Sequence, residues 1–369
     1  MSLPTVPRSS GTSNRPVVVA VVLNWNQAAL TVRCLDHLAR QSDPPLVVVV
    51  DNGSEGDDIE KIAARRPPVE LVKLAENRGF AGGMNAGIRM ALGRAPDYVW
   101  LVNNDAFAEP SCLRVLVDHL ERCPNVGMAT PRLLNPDGSE QHCGGSYDWR
   151  TGRFAFAQSA AFRMLGADVA WISGTMPMLR ANTLRAVGMF DSRFFAYWED
   201  VDLSLRIAGS GRELHVVPEA VVYHHSGSSS GGARSPIVSY LDSRNEWLVI
   251  RSRTSPLGRL RSSMAYAARR LRRAVFLEQL GHAEAADAVM RGMRDALLGR
   301  FGAPRTTSPT GWVLRAVRRH PWRMASLLDG LAGTPRPLSH ADAPTASIGD
   351  PESSAAGNVQ ASDDGRVSP

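Results

Sequence analysis

At Leu101-Val102-Asn103-Asn104-Asp105-Ala106, the apolar run that begins at Tyr98 ends abruptly in two carboxamides and a carboxylate. An acid at the C-terminal tip of a buried strand stands on the concave polar rim of an open α/β sheet, where it can hold a divalent cation on a phosphorylated ligand. Asn and Asp are also ordinary turn residues, so the hexapeptide carries that reading only with its neighbours. Three earlier stretches supply them: Asn24-Trp25-Asn26, Asp51-Asn52-Gly53-Ser54, and Asn77-Arg78-Gly79-Phe80-Ala81-Gly82-Gly83-Met84-Asn85. Asp51 can accept from a ring N–H such as the imide of uracil or thymine, or it can simply begin an Asx turn with Gly53. In the third stretch Gly79, Gly82 and Gly83 let backbone come close to a ligand. The helix that starts near Phe80 turns its positive end toward phosphate or sugar oxygens. The spacing matches neither G-x-G-x-x-G nor G-x-x-x-x-G-K-[ST], which disfavours dinucleotide and P-loop binding.

A second group of reactive side chains lies in Phe194-Phe195-Ala196-Tyr197-Trp198-Glu199-Asp200-Val201-Asp202-Leu203-Ser204-Leu205-Arg206. Acids at a helix start are favoured by the macrodipole, and Asp202 pairs with Arg206 at i, i+4. Glu199 and Asp200 then face elsewhere, beside aromatics suited to stacking on a sugar. His224 and His225 follow a strand, and an imidazole can join a carboxylate on Mn²⁺ or Mg²⁺.

These residues need a scaffold, and the hydrophobic periodicity provides one. Strands are expected over Val17–Asn24, Leu46–Asp51, Val69–Leu74, Tyr98–Val102 and Val126–Leu134, with helices over Gln27–Arg40, Ile59–Arg65, Phe80–Leu92 and Ser111–Arg122. Alternation in units of roughly 25 residues implies right-handed crossovers and a mainly parallel sheet. Asn135-Pro136-Asp137-Gly138 reads as a tight turn, and Gln141–Gly166 as an irregular or hairpin excursion. Short helices follow at Thr183–Val187 and Val201–Ala208, with short strands Leu214–Val217 and Ala220–Tyr223 around Pro218. Gly227–Gly232 reads as a flexible loop able to close over a ligand.

The chain of 369 residues is 44% hydrophobic and carries a net charge of +6. That is enough apolar material for one large or two modest domains. The four cysteines contain no C-x-x-C pair, which suggests neither a zinc knuckle nor a redox dithiol, and they read as reduced cytosolic thiols. Val17–Leu23 is too short to span a bilayer and no cleavage site follows it, so the expected location is the cytoplasm or the inner face of the plasma membrane. Arginines crowd the segment Leu257–Arg300 among Leu, Ala and Met at helical spacing. Such a face is either solvated or rests on anionic lipid. No nucleic-acid partner is expected.

Taken in order, these motifs, with Ser173-Gly174-Thr175 and Val187-Gly188-Met189-Phe190-Asp191 between them, resemble the family 2 inverting glycosyltransferases, closest to the rhamnosyltransferase-like branch. The resemblance spans about residues 17 to 232. It implies a GT-A fold, a Rossmann-like sheet flanked by helices, over 16–234. A mostly helical basic extension over 235–330 and disordered tails at 1–15 and 331–369 complete the expected organisation. It further implies a nucleotide-sugar donor carrying UDP or dTDP, rhamnose being the favoured sugar. Mg²⁺ or Mn²⁺ would serve as cofactor, and the acceptor would be a cell-envelope glycan or a lipid-linked hydroxyl. Carried over by position, Asp105 and His224 hold the metal, and Asp200 is the catalytic base with Glu199 as the alternative. The donor contacts Asn24, Asn26, Asp51, Asn77, Gly79, Phe80, Gly82, Asn85, Asn103 and Asn104. The acceptor meets Trp171, Gly174 and Trp198. Asn103 stands where many relatives carry an acid, so its amide oxygen would be a neutral ligand. A sugar-nucleotide nucleotidyltransferase would show a Lys/Arg-rich glycine loop where this chain has Asn24-Trp25-Asn26-Gln27. A non-catalytic scaffold of a membrane-associated complex would not need Glu199, Asp200 and Asp105.

Overall fold

A computed structural model describes residues 15–65, 68–148, 153–159, 170–225, 234–254 and 256–304. The Gly227–Gly232 loop, residues 1–14 of the N-terminal tail, the C-terminal tail and the end of the helical extension lie outside the described residues.

β-Branched runs buried on both faces make the centre of the sheet. These are β1 (Val18–Asn24), β2 (Leu46–Asp51) and β4 (Tyr98–Asn103), with β3 (Glu70–Lys73) outside β2. They pair in parallel in the order β3-β2-β1-β4. The register sets Asn24 opposite Asp51, Asp51 opposite Lys73, and Leu23 opposite Asn103, so the four polar tips end flush. Helices α1 (Ala28–Ala39), α2 (Asp58–Ala63) and α3 (Gly79–Gly93) make the crossovers.

Beyond β4 the order continues through β10 (Met178–Arg180), β6 (Val126–Leu134), β11 (Glu213–His224) and β5 (Ala106–Ala108). β10 is antiparallel to both neighbours and β5 is antiparallel to β11, whereas β6 and β11 run parallel. Three-residue strands carry too little periodicity to be read from sequence, and both were missed. The two strands expected around Pro218 are one, with a register break between Val217 and Val221. A bulge is where a strand tolerates a residue that cannot donate.

Val18, Ala20, Val22, Trp100 and Val102 face α1 and α4 (Cys112–Arg122) on one side of the sheet. Val19, Val21, Val99 and Leu101 face α3, α5 (Ala181–Val187) and α6 (Glu199–Gly209) on the other. The Gln141–Gly166 region contains a hairpin, β7 (Gly144–Asp148) with β8 (Arg153–Ala157), which β9 (Ala170–Ile172) completes as a three-stranded antiparallel sheet.

Helices α7 (Pro236–Arg253), α8 (Pro256–Gln279) and α9 (Ala283–Leu297) pack against that small sheet and the start of α6 in a third core of Tyr147, Trp171, Trp198, Leu248, Tyr266 and Met290. The arginine-rich extension is therefore partly internal. Arg270 is buried and bonds to Asp242 and Glu246, Arg269 bonds to Glu246, and Arg244 is fully buried. A solvated face was the wrong expectation for Arg269 and Arg270. No helix among the described residues is long and apolar enough to cross a membrane.

Candidate active site

At the metal position the chain turns between β4 and β5. β5 pairs with the end of β11 so that Ala106 lies opposite His224, and the His225 N–H donates to the Asp105 carbonyl at 3.0 Å. This brings His224 Nε2 to 3.3 Å from Asp105 Oδ1, both side chains nearly buried. The imidazole is held by Gln141, whose Nε2 donates to the His224 carbonyl at 2.8 Å and to Asn135 Oδ1 at 2.6 Å. A backbone carbonyl only accepts, so the amide cannot be turned round. Its Oε1 therefore faces His224 Nδ1 at 2.9 Å, and Nδ1 carries the hydrogen. Nε2 is thereby the nitrogen that faces the Asp105 carboxylate, where the two can share either a proton or a cation. The buried Asn103 Oδ1 at the neighbouring tip has no hydrogen-bond partner. A carboxylate in contact with an imidazole nitrogen is a donor pair that fits Mg²⁺ or Mn²⁺.

The second centre is tied to the first by a short segment. Thr175 lends its carbonyl to the Asn103 N–H at 2.9 Å, and the Gly174 N–H donates to Asp200 Oδ2 at 3.1 Å. Asp105 and Asp200 thus border the same strand tips. Asp200 is partly exposed at the start of α6 and also accepts from the Val201 N–H at 2.8 Å. Desolvation raises its pKa, and the two backbone donors oppose that rise. Glu199 is buried, its Oε2 has no partner, and burial followed by the charge of Asp200 pushes its pKa well above the usual range. Of the two, Glu199 holds its proton more tightly. The expected pair forms, with Arg206 Nε donating to Asp202 Oδ2 at 2.8 Å. The same guanidinium also holds the Val187 and Met189 carbonyls.

The approach to α6 is strained: Phe195, Tyr197 and Trp198 all have left-handed φ, at 66°, 68° and 75°. Such backbone persists where surroundings over-determine it, as at functional sites. Asn245 of α7 supplies much of that restraint, its Nδ2 donating to the carbonyls of Phe194, Ala196 and Tyr197 at 2.8, 2.8 and 2.9 Å. Gly79 supplies more. Its φ is 69°, and a Cβ there would stand 2.3 Å from the Phe195 carbonyl, which accepts from the Ala81 N–H.

Several residues assigned to the donor are instead committed within the protein. Asn24 is fully buried; its Nδ2 is shared among Asp51, Ser54 and Asp58, and its Oδ1 accepts from Thr31, which also receives Asn104 Nδ2 at 3.1 Å. Asn85 clamps Phe190 through its carbonyl at 2.7 Å and its N–H at 3.0 Å. Phe80 packs edge-on against Phe190. Asn77 Oδ1 accepts from the Gly79 N–H at 2.7 Å and from Asn52, a residue the sequence reading left out. Gly82 lies against Arg78 in the first turn of α3. The close approach that glycine permits here is of helix to sheet, since a Cβ on Gly83 would meet Leu23 Cδ1 at 2.5 Å. These residues build the rim. Asp51 is buried and accepts from Asn24 at 3.1 Å and from the Ser54 N–H at 3.4 Å, so the Asx-type turn is present. Asn26 is exposed, with its Oδ1 on the Glu55 N–H. Trp25 beside it is 42% exposed, an aromatic face at the Asp51 tip that the motif contained but the site assignment overlooked.

Trp171 and Trp198, assigned to the acceptor, are interior. Trp171 packs edge-on against Phe156, and Trp198 donates its indole N–H to Asp242 at 2.8 Å. The pull of the third core outweighs exposure for both rings.

Residues 15–236 match the family described as "Glycosyltransferase like family 2". The chain belongs to that family. Among characterised proteins, this glycosyltransferase is similar to the N-acetylglucosaminyl-diphospho-decaprenol L-rhamnosyltransferase of Mycobacterium tuberculosis, with 28% identity over 244 residues, 58% of this chain and 78% of the other. It also resembles the galactofuranosyltransferase GlfT1 of the same organism, 28% identical over 57% of this chain and 71% of that one. The dTDP-rhamnosyl transferase RfbF of Shigella flexneri is 24% identical over 65% and 82%. The solved structure of GalNAc-T7 with UDP, GalNAc and Mn²⁺ superposes with a TM-score of 0.52 at 14% identity, over 78% of this chain and 57% of that one. The glycosyltransferase thus has the GT-A fold.

Proposed function

We propose that this protein is an inverting glycosyltransferase that moves a sugar from a UDP or dTDP donor to a hydroxyl of a cell-envelope glycan or lipid-linked acceptor, with Mg²⁺ or Mn²⁺ on Asp105 and His224. The observation that carries the proposal is the His224–Asp105 pair, its tautomer fixed by Gln141, on the same rim as Asp200. The metal supplies charge stabilisation for a departing diphosphate. Asp105 and His224 would hold it. Asp200 takes the proton of the attacking acceptor hydroxyl as that oxygen bonds to the anomeric carbon. Desolvation suits it to the task, because a base of raised pKa accepts the proton more readily. Glu199 stays protonated beside it and keeps the neighbouring charge from doubling.

Rhamnose is the sugar in two of the relatives' names and galactofuranose in a third, which sets the donors to try first. A lipid-linked acceptor would bring the molecule to a membrane. The face offered to an anionic surface would be the start of α8, where Leu260 is 60% exposed beside Arg261. The direct test is a thermal-shift screen of dTDP-rhamnose, UDP-galactofuranose and other nucleotide sugars with and without Mn²⁺. A bound donor raises the melting temperature by mass action. The proposal expects a shift that needs Mn²⁺ and vanishes in Asp105→Asn; a panel with no metal-dependent shift would refute it.

A further inference from the structure

A second cluster of metal-ligating side chains lies at the opposite end of the sheet. His119, in the last turn of α4, and Cys123, its C-cap, are four residues apart and share one side of the helix. His215 reaches them from the start of β11, opposite Ala129 of β6. His119 Nε2 is 2.9 Å from His215 Nδ1, and a ligand atom of each of His119, Cys123 and His215 lies within 4.8 Å of the other two. Eight residues of β11 lie between His215 and His224, and the paired β6 advances from Ala129 to Leu134 over that stretch, roughly 17 Å at the rise of a strand, so this cluster is no part of the donor site.

We propose that His119, Cys123 and His215 form a zinc site that ties the C-terminal end of α4 to the first residues of β11. A thiolate with two imidazoles is the donor set of Zn²⁺ and disfavours Mg²⁺ and Mn²⁺, which sets it apart from the oxygen-rich rim at Asp105. Three protein ligands leave a fourth tetrahedral position for water, and all three residues are partly exposed, so water and metal can reach them. The support behind the ligands is already in place. Glu213 Oε2 accepts from His215 Nε2 at 3.0 Å, which leaves Nδ1 as the lone-pair nitrogen. A carboxylate behind a ligating imidazole in this way fixes its tautomer and raises its basicity. Arg180 of β10 donates to the Cys123 carbonyl at 3.3 Å and holds the turn that presents the thiol.

Without metal, the His119 Nε2–H donates to His215 Nδ1. When Zn²⁺ enters, that hydrogen moves to Nδ1 of His119, the Cys123 thiol releases its proton to solvent, and the cation bonds the two freed nitrogens and the thiolate sulfur. Around it Glu219 adds negative charge near His119, and Arg122 opposes the cation. The other three cysteines are buried, which pushes their thiols up, Cys143 to about 11, and marks Cys123 as the accessible sulfur.

Cobalt substitution tests the site in the untagged full chain. Metal-free protein titrated with Co²⁺ should take up one ion with a near-ultraviolet thiolate-to-cobalt charge-transfer band, which stoichiometric Zn²⁺ abolishes. Cys123→Ser should lose the band, His119→Gln and His215→Ala should weaken Co²⁺ affinity at least about tenfold, and Glu213→Gln should weaken it about 10- to 100-fold. Asp105→Asn should keep the band, and circular dichroism should show every variant folded. Zn²⁺ should also raise the melting temperature of wild type but not of Cys123→Ser. Absence of the band in wild type, its persistence in folded Cys123→Ser, or its loss in Asp105→Asn would each overturn the proposal.

Discussion

Glu199 and Asp200 are sequence neighbours in different surroundings, and the proposed function gives them different roles on that ground. Glu199 is shut in with an unsatisfied oxygen, and burial and the adjacent charge hold its proton on; Asp200 meets two backbone donors and some solvent. Glu199→Gln, a mimic of the protonated acid, should therefore retain most of the turnover. Asp200→Asn should lower kcat by about 10²- to 10⁴-fold with the donor Kd unchanged, as steady-state rates and calorimetry would show. Both carboxyls are raised in the folded state, so between the ordinary carboxylate range and the raised values the folded chain binds more protons than the unfolded one. Stability must then fall as pH rises through that window. Urea titrations at mildly acid and mildly alkaline pH should show the fall, and Glu199→Gln should flatten it. Gln141 belongs to the same scale. Its replacement by Leu frees the His224 ring, and Mn²⁺ affinity read by electron paramagnetic resonance should weaken about 10- to 100-fold. Asp105, Asp200 and His224 were legible as residue types at strand and helix ends. Gln141 was not, because its partner lies 83 positions away and nothing local to it announces a role.

At the scale of elements, the parallel half of the sheet was legible because each of its strands is an unbroken apolar run ending in a polar tip. The antiparallel insertion of β10, and the pairing of β5 with β11 that brings His224 to Asp105, were not. Both depend on three-residue strands whose partners are far along the chain. The glycines and asparagines of the Asn77–Asn85 stretch were legible as important, and their amides and missing Cβ atoms hold loops and helix in place. The left-handed approach to α6 is the element most exposed to mutation. Asn245→Ala removes the amide that three carbonyls share, of which Phe194 keeps Arg244, and should cost about 1–3 kcal/mol of stability by chemical denaturation, with kcat falling as the loop before Glu199 relaxes. Gly79→Ala meets both a left-handed φ and the Phe195 carbonyl, and should destabilise by at least about 1–3 kcal/mol.

Across the whole molecule, the motifs end near His224 but the folding unit does not. Helix α7 reaches back with Arg244 and Asn245 to the loop before Glu199, and Asp242, Glu246, Arg269 and Arg270 form an internal ion network that also takes up Trp198 and Tyr147. Sequence could show that this extension is helical and basic. It could not show which arginines turn inward, since their acids stand 24 and 28 residues away on another helix. Arg270→Met removes the guanidinium that joins Asp242 to the buried Glu246, leaving Glu246 with Arg269 and Asp242 with Trp198, and should cost about 3 kcal/mol, measured by denaturation against wild type. The measurement that bears most directly on the account is the anomeric configuration of the sugar released from a hydrolysed nucleotide donor. It is read by NMR before mutarotation, with wild type and Asp200→Asn in the presence of Mn²⁺. Inversion by the wild type, with turnover lost in a variant that still binds donor and metal, is the predicted result. Retention of configuration, or undiminished turnover without the Asp200 carboxylate, would contradict it.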